Sequence, residues 1–443
     1  MRACSRLALV LAVALLCAAF ASEAFAAPGS IVWKKAANPS AGSNDLSLSA
    51  PGPGGGVYAA GMEGAYPDVD IWVVRYRANG TQAWSKTWNG PDSGYDQALG
   101  IAVDKTGDVY VCGRTRRASA NLDSVLLKYD PAGTLAWAKV YPFAAGSDEA
   151  DAVGLDAAGN VYIAGTEAPT PMRAYTGKVS PGDGVLLWAT RYQGPGMVTV
   201  DDIAVTRAGD CYVAGRAETG TNSGTYDAIL FRSVAAGVAS WTKSWNGPKG
   251  GHDEWTDVEP APNGRVAVSG ATHANGAADL ACARYASSGK RLWARTWSSA
   301  GSWTDRCRGL AVARDGSAWV AGLTSLQEGV WHGALVKWSS SGRRLFSRTL
   351  GTAKTAADFE AVAVDTGGNA YVAGTVGSGA WDLLALKYSS AGRLLWRTTA
   401  GFGSGSMDTL ESICLGPPGY LYATGQADTA VNDTRGVVVK IRR

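Results

Sequence analysis

All three histidines of this 443-residue chain, His252, His273 and His332, fall in one stretch. Asp253, Trp255, Trp303, Asp305 and Trp331 stand among them. Aromatic planes beside carboxylates and imidazoles suit sugar rings, whose C–H faces stack while their hydroxyls hydrogen-bond. These eight residues form a candidate ligand-binding sector. The competing reading is that exposed loops of a chain with 17 tryptophans collect such residues by chance. A second series is acidic. Asp96, Asp148, Asp253, Asp305 and Asp408 share a register, with Asp45 and Asp358 one residue off it. If the strand they open lined a channel, they would form a carboxylate ring that draws Ca²⁺. Alternatively each caps backbone N–H groups of its own loop, and no metal is bound.

Other chemistry is sparse. A three-histidine zinc site would consume every histidine present. No nucleophile elbow, phosphate-binding lysine motif or dinucleotide fingerprint sits at a strand-to-helix junction, because the mature chain shows no helical periodicity. The run Gly52 to Gly56 reads as a hairpin turn. No catalytic residue is assigned. Paired carboxylates of the glycosidase kind stay open, since a sequence carries no distances.

The elements that would hold these residues come from an internal repeat. IAVDKTGDVYVCGRT at Ile101 returns as VGLDAAGNVYIAGTE at Val153, IAVTRAGDCYVAGRA at Ile203 and LAVARDGSAWVAGLT at Leu310. VAVDTGGNAYVAGTV at Val362 and ICLGPPGYLYATGQA at Ile413 follow, with divergent copies ending at Gly61 and Gly270. A glycine marks each copy: Gly61, Gly113, Gly165, Gly215, Gly270, Gly322, Gly374 and Gly425, spaced 52, 52, 50, 55, 52, 52 and 51. Each copy reads as four short strands, the first two joined at a D-x-x-G turn, where Asp bonds its own backbone and Gly takes positive φ. The fold class is all-β: an eight-bladed propeller of four-stranded antiparallel blades.

The eighth copy has only three strands before the chain ends at Arg443. Ser30-Ile31-Val32-Trp33-Lys34 matches the fourth strand Arg393-Leu394-Leu395-Trp396-Arg397, so the N-terminal strand is expected to complete the last blade and close the ring. Closure removes the exposed sheet edge that an open array leaves. Trp33, Trp84, Trp137, Trp188, Trp241, Trp293 and Trp396, with Phe346 in one copy, hold a fixed place in strand four. They read as packing between blades in preference to an aromatic binding ring. Arg75, Lys128, Lys178, Arg232, Arg284, Lys337, Lys387 and Lys440 recur in strand three. Asp70, Asp123, Asp227, Asp279 and Asp382 stand five residues before their bases. A structural polar network is expected there, in preference to a cationic substrate ring.

These motifs resemble the bacterial SBBP-type β-propeller repeat family: I-A-V-D-x-x-G-N-V-Y-V-x-G-x-T, then D-x-x-x-x-K-Y and G-x-x-x-W. The resemblance spans Ala27 to Arg443 and implies a propeller at the cell surface or outside it, with little said of activity. Seven blades would be expected from the family name, whereas eight copies are countable. The G-x-x-x-W element is also similar to the tryptophan-docking repeat of eight-bladed quinoprotein dehydrogenases. Those enzymes carry a vicinal Cys-Cys pair and a calcium site at the cofactor. No adjacent cysteines occur here, so no quinone cofactor is expected.

Arg2 and Arg6, the apolar run Leu7 to Phe20 and Ala24-Phe25-Ala26 predict a signal peptide over 1–26, leaving one domain over 27–443. The chain carries 41 Lys and Arg against 38 Asp and Glu, a near balance that argues against nucleic acid as a partner. No later apolar run would span a membrane. The five cysteines beyond the leader are odd in number and sit in predicted strands, as small buried hydrophobes do. Together these point to a secreted, monomeric propeller, a non-enzymatic scaffold recognising an extracellular glycan or protein on one face. The alternative is a carbohydrate-active hydrolase or lyase using loop carboxylates.

Overall fold

The computed structural model describes residues 27–443 apart from 41, 118–120, 221–223, 249, 275–276, 301–303, 328–329, 404–406 and 431–432. The expected signal peptide and Trp303 lie outside the described residues. Every regular element described is a β-strand, and among the described residues no helix is long and apolar enough to cross a membrane.

Local sequence accounts for the strands. The second strand of the second repeat, Val109–Arg116, is buried at its first five positions. A short apolar run of this kind suits a strand covered on both sides. Fourth strands such as Leu394–Ala400 are mostly exposed, as an outer edge should be. In the D-x-x-G turn the Asp104 carboxylate accepts the N–H groups of Thr106, Gly107 and Asp108 at 2.9, 3.0 and 3.0 Å. Gly107 adopts φ 92° there, a conformation an L-residue takes only at a cost.

The chain is a β-propeller built of antiparallel four-stranded sheets. Six sheets stand alone, and one eight-stranded sheet holds the fifth and sixth repeats, which touch through a single parallel bridge, Ala278↔Thr304. The N-terminal strand Ile31–Ala37 pairs antiparallel with the last strand Asp433–Arg442, with Trp33 opposite Lys440. The first segment of the described chain thus supplies the fourth strand of the last sheet.

Neighbouring sheets meet through the strand-four aromatics. Each ring lies against the glycine that opens the next fourth strand: Trp84 on Gly133, Trp137 on Gly184, Trp188 on Gly237 and Trp241 on Gly289. Trp293 on Gly342, Phe346 on Gly392, Trp396 on Gly29 and Trp33 on Gly80 complete the series. A Cβ on any of these glycines would come within 2.5 to 3.0 Å of the ring. The third-strand base joins the same contact. Trp137 and Lys128 both donate to the Pro181 carbonyl, at 3.4 and 2.9 Å. Trp33 and Lys440 share Ala78, at 3.2 and 2.7 Å, and Trp84 and Arg75 share Pro131. The base also lies over an aromatic ring, as Lys337 does 4.5 Å from the Trp319 centroid. Its acidic partner, where it has one, comes from the hairpin turn: Lys128 meets Asp108 at 2.8 Å and Arg232 meets Asp210 at 2.7 Å. These aromatics and bases are structural.

Cys112, Cys211, Cys282, Cys307 and Cys414 are buried free thiols. Burial pushes Cys307 up to about 12, which keeps it a thiol and leaves it unreactive.

Candidate functional site

The first strands of successive repeats pack against one another, from Leu48–Pro51 through Asp96–Val103, Asp148–Leu155, Val198–Val205 and Asp253–Ala261 to Thr304–Val312, Ala356–Val364 and Asp408–Leu415. The last of these also packs against Leu48–Pro51. From the second repeat onward each first strand carries a β-bulge, as between Phe359 and Ala361. The glycine that marks the repeat sits opposite the residue just before the bulge: Gly374 pairs with Phe359 and Gly425 with Leu410. A Cβ on these seven glycines would fall 1.9 to 2.1 Å from a first-strand carbonyl oxygen. The periodic glycine is therefore required by the bulge, where backbone fills the space of a side chain.

A bulge re-aims one side chain. The extra residues are Leu99, Asp151, Asp201, Thr256, Arg308, Glu360 and Glu411. Each stands 14 positions before its glycine (374 − 360, 425 − 411), and Ser47 holds the same place before Gly61. Two residues earlier, on the same side of the strand, are Asp45, Gln97, Glu149, Thr199, Glu254, Arg306, Asp358 and Thr409. Two layers of mostly polar side chains thus share one side of the first strands.

These layers converge in a cavity of about 670 Å³ bounded by the sixth, seventh, eighth and first repeats. Ser47, Arg306, Arg308, Asp358, Glu360, Thr409 and Glu411 come from the two layers; Leu323, Trp331, Thr375, Trp381 and Met407 come from other strands and loops. Arg308 reaches Asp358 at 3.5 Å and Glu360 at 3.4 Å. Asp358 and Glu360 also lie within hydrogen-bonding reach of each other. Burial, then the Asp358 charge, pushes Glu360 up to about 8, against the pull of Arg308. Burial, then the Asp45 charge, pushes Glu411 up to about 7. Asp358 is raised by burial, with Arg308 opposing. At neutral pH the cavity therefore holds two guanidinium groups against fewer than three carboxylate charges.

Among the described residues of the sector expected from sequence, only Trp331 lines this cavity. Trp255 is fully buried, stacked on Trp245 with ring centroids 4.6 Å apart, so it offers no face to a ligand. His332 is buried beneath Gly351. His252 lies 3.8 Å from Glu254 and 4.7 Å from the Tyr226 ring, and burial lowers its affinity for a proton. His273 Nδ1 contacts the His252 carbonyl at 2.8 Å. The imidazoles of His252 and His273 do meet, at 5.3 Å, but away from the cavity.

The acidic series is corrected by one residue. Asp96, Asp148, Asp253, Asp305 and Asp408 are buried, and none of them lines the cavity. Asp148 accepts the N–H groups of Ala144 and Ala168 at 2.9 and 3.2 Å. Asp253 accepts Gly247 and Asp408 accepts Phe402, each at 2.7 Å, and Asp96 caps Gly90. Asp96, Asp148, Asp253 and Asp408 thus cap backbone N–H groups. A one-residue step along a strand reverses the face, so the off-register Asp45 and Asp358 are the ones on the inner side. Among the described residues no cluster of three His, Cys, Asp or Glu is placed to hold a metal ion. The position 14 before each glycine would have revealed the inner layer, but only with the bulge known.

No family model matches the chain, and no curated protein does. Solved structures do. Sqt1 from Chaetomium thermophilum is similar over 94% of this chain and all of its own, at 10% identity and TM-score 0.59. A europium-containing methanol dehydrogenase aligns over 90% of this chain and 84% of its own, at 11% and 0.56. The quinohemoprotein alcohol dehydrogenase of Comamonas testosteroni covers 93% and 76%, at 12% and 0.52. At these identities the likeness shows the propeller fold alone.

Proposed function

We propose that this chain is an exported, closed eight-bladed propeller, one domain over 27–443, that binds an extracellular glycan in the cavity bounded by Arg306, Trp331, Trp381 and Glu411. Closure is supported by the eight glycine–aromatic contacts, of which Trp33 on Gly80 joins the last sheet to the first. Binding is supported by one observation above the others: two indoles, two guanidinium groups and the hydroxyls of Ser47 and Thr409 converge on one cavity. Its volume falls within the roughly 300 to 1,000 Å³ of small-ligand pockets. Indole faces stack on sugar C–H surfaces, and the polar groups take hydroxyls.

The spacing of the Asp358 and Glu360 carboxyls favours a binder over a glycosidase. Glycosidases hold their two carboxyls about 5 Å apart or more, leaving room for the reacting bond or a water. Here Asp358 and Glu360 are in reach of each other and both lie beside Arg308. A glycan array followed by titration calorimetry tests the reading. Trp331→Ala and Trp381→Ala should each abolish measurable binding while the melting temperature holds. Release of reducing ends or unsaturated products from a polysaccharide panel would establish the rival instead.

A further inference from the structure

We infer that the glycan bound in this cavity is acidic, and that Arg306 receives its anionic group; this rests on the glycan-binding reading above. Arg306 and Arg308 stand on the same strand, two residues apart, and line the same cavity. Arg308 is engaged by Asp358 and Glu360. Arg306 is exposed and lines the cavity with Trp331; its charge is felt at Asp358, but Asp358 and Glu360 sit within ion-pair distance of Arg308. A guanidinium matches a carboxylate or sulfate ester bidentately, and such charge-assisted pairs are the stronger hydrogen bonds. A neutral sugar would leave that donor set facing water.

The charges around Arg306 make the cavity's reception of an anion depend on pH. On its own strand stands Arg308. The seventh repeat brings Asp358 and Glu360, the eighth Glu411, and the first Asp45 behind Glu411. On the fifth-repeat side Glu254 holds the matching position but is occupied by Arg216 at 2.6 Å, with His252 at 3.8 Å. With Glu360 largely and Glu411 about half protonated at neutral pH, the carboxylate charge facing the two arginines is reduced. Raising the pH to 9 ionises both glutamates and turns the cavity against an anion.

The experiment is calorimetry on the full mature chain with three oligosaccharides of equal length: an oligogalacturonate, a sulfated galactan fragment and an uncharged galactan fragment. At pH 6 the two acidic ligands should bind roughly 10- to 100-fold tighter than the uncharged one. Arg306→Gln should remove that advantage, weakening the acidic ligands at least tenfold more than the uncharged one, while Arg306→Lys restores part of it. Moving from pH 6 to pH 9 should weaken only the acidic ligands. Preference for one acidic ligand over the other identifies the anion as carboxylate or sulfate, and supports the inference either way. Equal binding of charged and uncharged fragments, both lost in Trp331→Ala, would overturn the inference and leave the glycan-binding reading standing. No binding of any fragment would overturn both.

Discussion

The indole of Trp33, from the N-terminal strand, lies against Gly80 of the first complete sheet, where an added Cβ would be 2.9 Å from Trp33 Cγ. Its N–H and the Lys440 ammonium converge on the Ala78 carbonyl two residues away. The first and last parts of the chain are thus joined by the same contact that joins every other pair of sheets.

Gly80→Ala should therefore be costly for a surface turn. Gly80 sits at φ 82°, a region that costs an L-residue about 1 to 2 kcal/mol, and the new methyl would displace the indole. Trp137→Ala, at a buried copy of the same contact, should cost roughly 3 to 5 kcal/mol. Urea unfolding followed by tryptophan fluorescence measures both. Wild-type midpoints would show that the aromatics do not hold the sheets together.

Deleting residues 31–37 should expose the edge of the strand Asp433–Arg442, now paired from Gly436 to Ile441. An uncovered edge strand invites pairing with another chain. The truncated protein should melt well below wild type and elute as soluble aggregate in size-exclusion chromatography. A monomer with the full melting temperature would contradict the paired arrangement.

Calcium should not raise the melting temperature. The Asp148 carboxylate already accepts two backbone N–H groups, and Asp253 and Asp408 one each. Asp148→Ala should cost roughly 1 to 3 kcal/mol, because the N–H groups it caps lose their acceptor. Differential scanning calorimetry with and without millimolar calcium checks both halves of this expectation.

Stability should fall as pH rises from about 4 to 8. Burial and the charge of Asp202 push Glu259 up to about 8, and Glu360 and Glu411 stand at about 8 and 7. Unfolded glutamate titrates near 4.3, so in this window the folded state binds more protons than the unfolded one. That contribution is complete below the unfolded value and is lost as pH climbs through the folded ones. Glu259→Gln should flatten the decline in melting temperature between pH 5 and 8. A slope unchanged by that substitution would place the proton uptake elsewhere.

Gly374→Ala should disturb the cavity as well as the fold. The added Cβ would lie 2.0 Å from the Asp358 carbonyl oxygen, at the bulge that presents Glu360. Gly165→Ala meets the same clash at Glu149, two repeats from the cavity's nearest strand. Both should lose comparable stability by urea titration, but only Gly374→Ala should shift the pH dependence of glycan binding.

The repeat, its four-strand rhythm and the joining of the two ends were legible in the residues alone. A glycine every 50 to 55 positions, and a tryptophan (Phe346 in one copy) four residues after the glycine that opens each fourth strand, are local signals, and equivalent sequences bury the same faces. Ile31 to Lys34 announced its partner because it copies a strand whose neighbours were already known. The inner surface was not legible. Which alternate residues of a first strand face inward depends on register, and a single step exchanges Asp148 for Glu149 or Asp408 for Thr409. The bulge adds a residue that simple alternation does not count, and it exists only because a carbonyl of one strand fills the space beside a glycine of the next. Tertiary packing alone decided that Arg306, Glu360 and Glu411, from three repeats, look into one cavity with Trp331, while Trp255 and His332 were turned into the core.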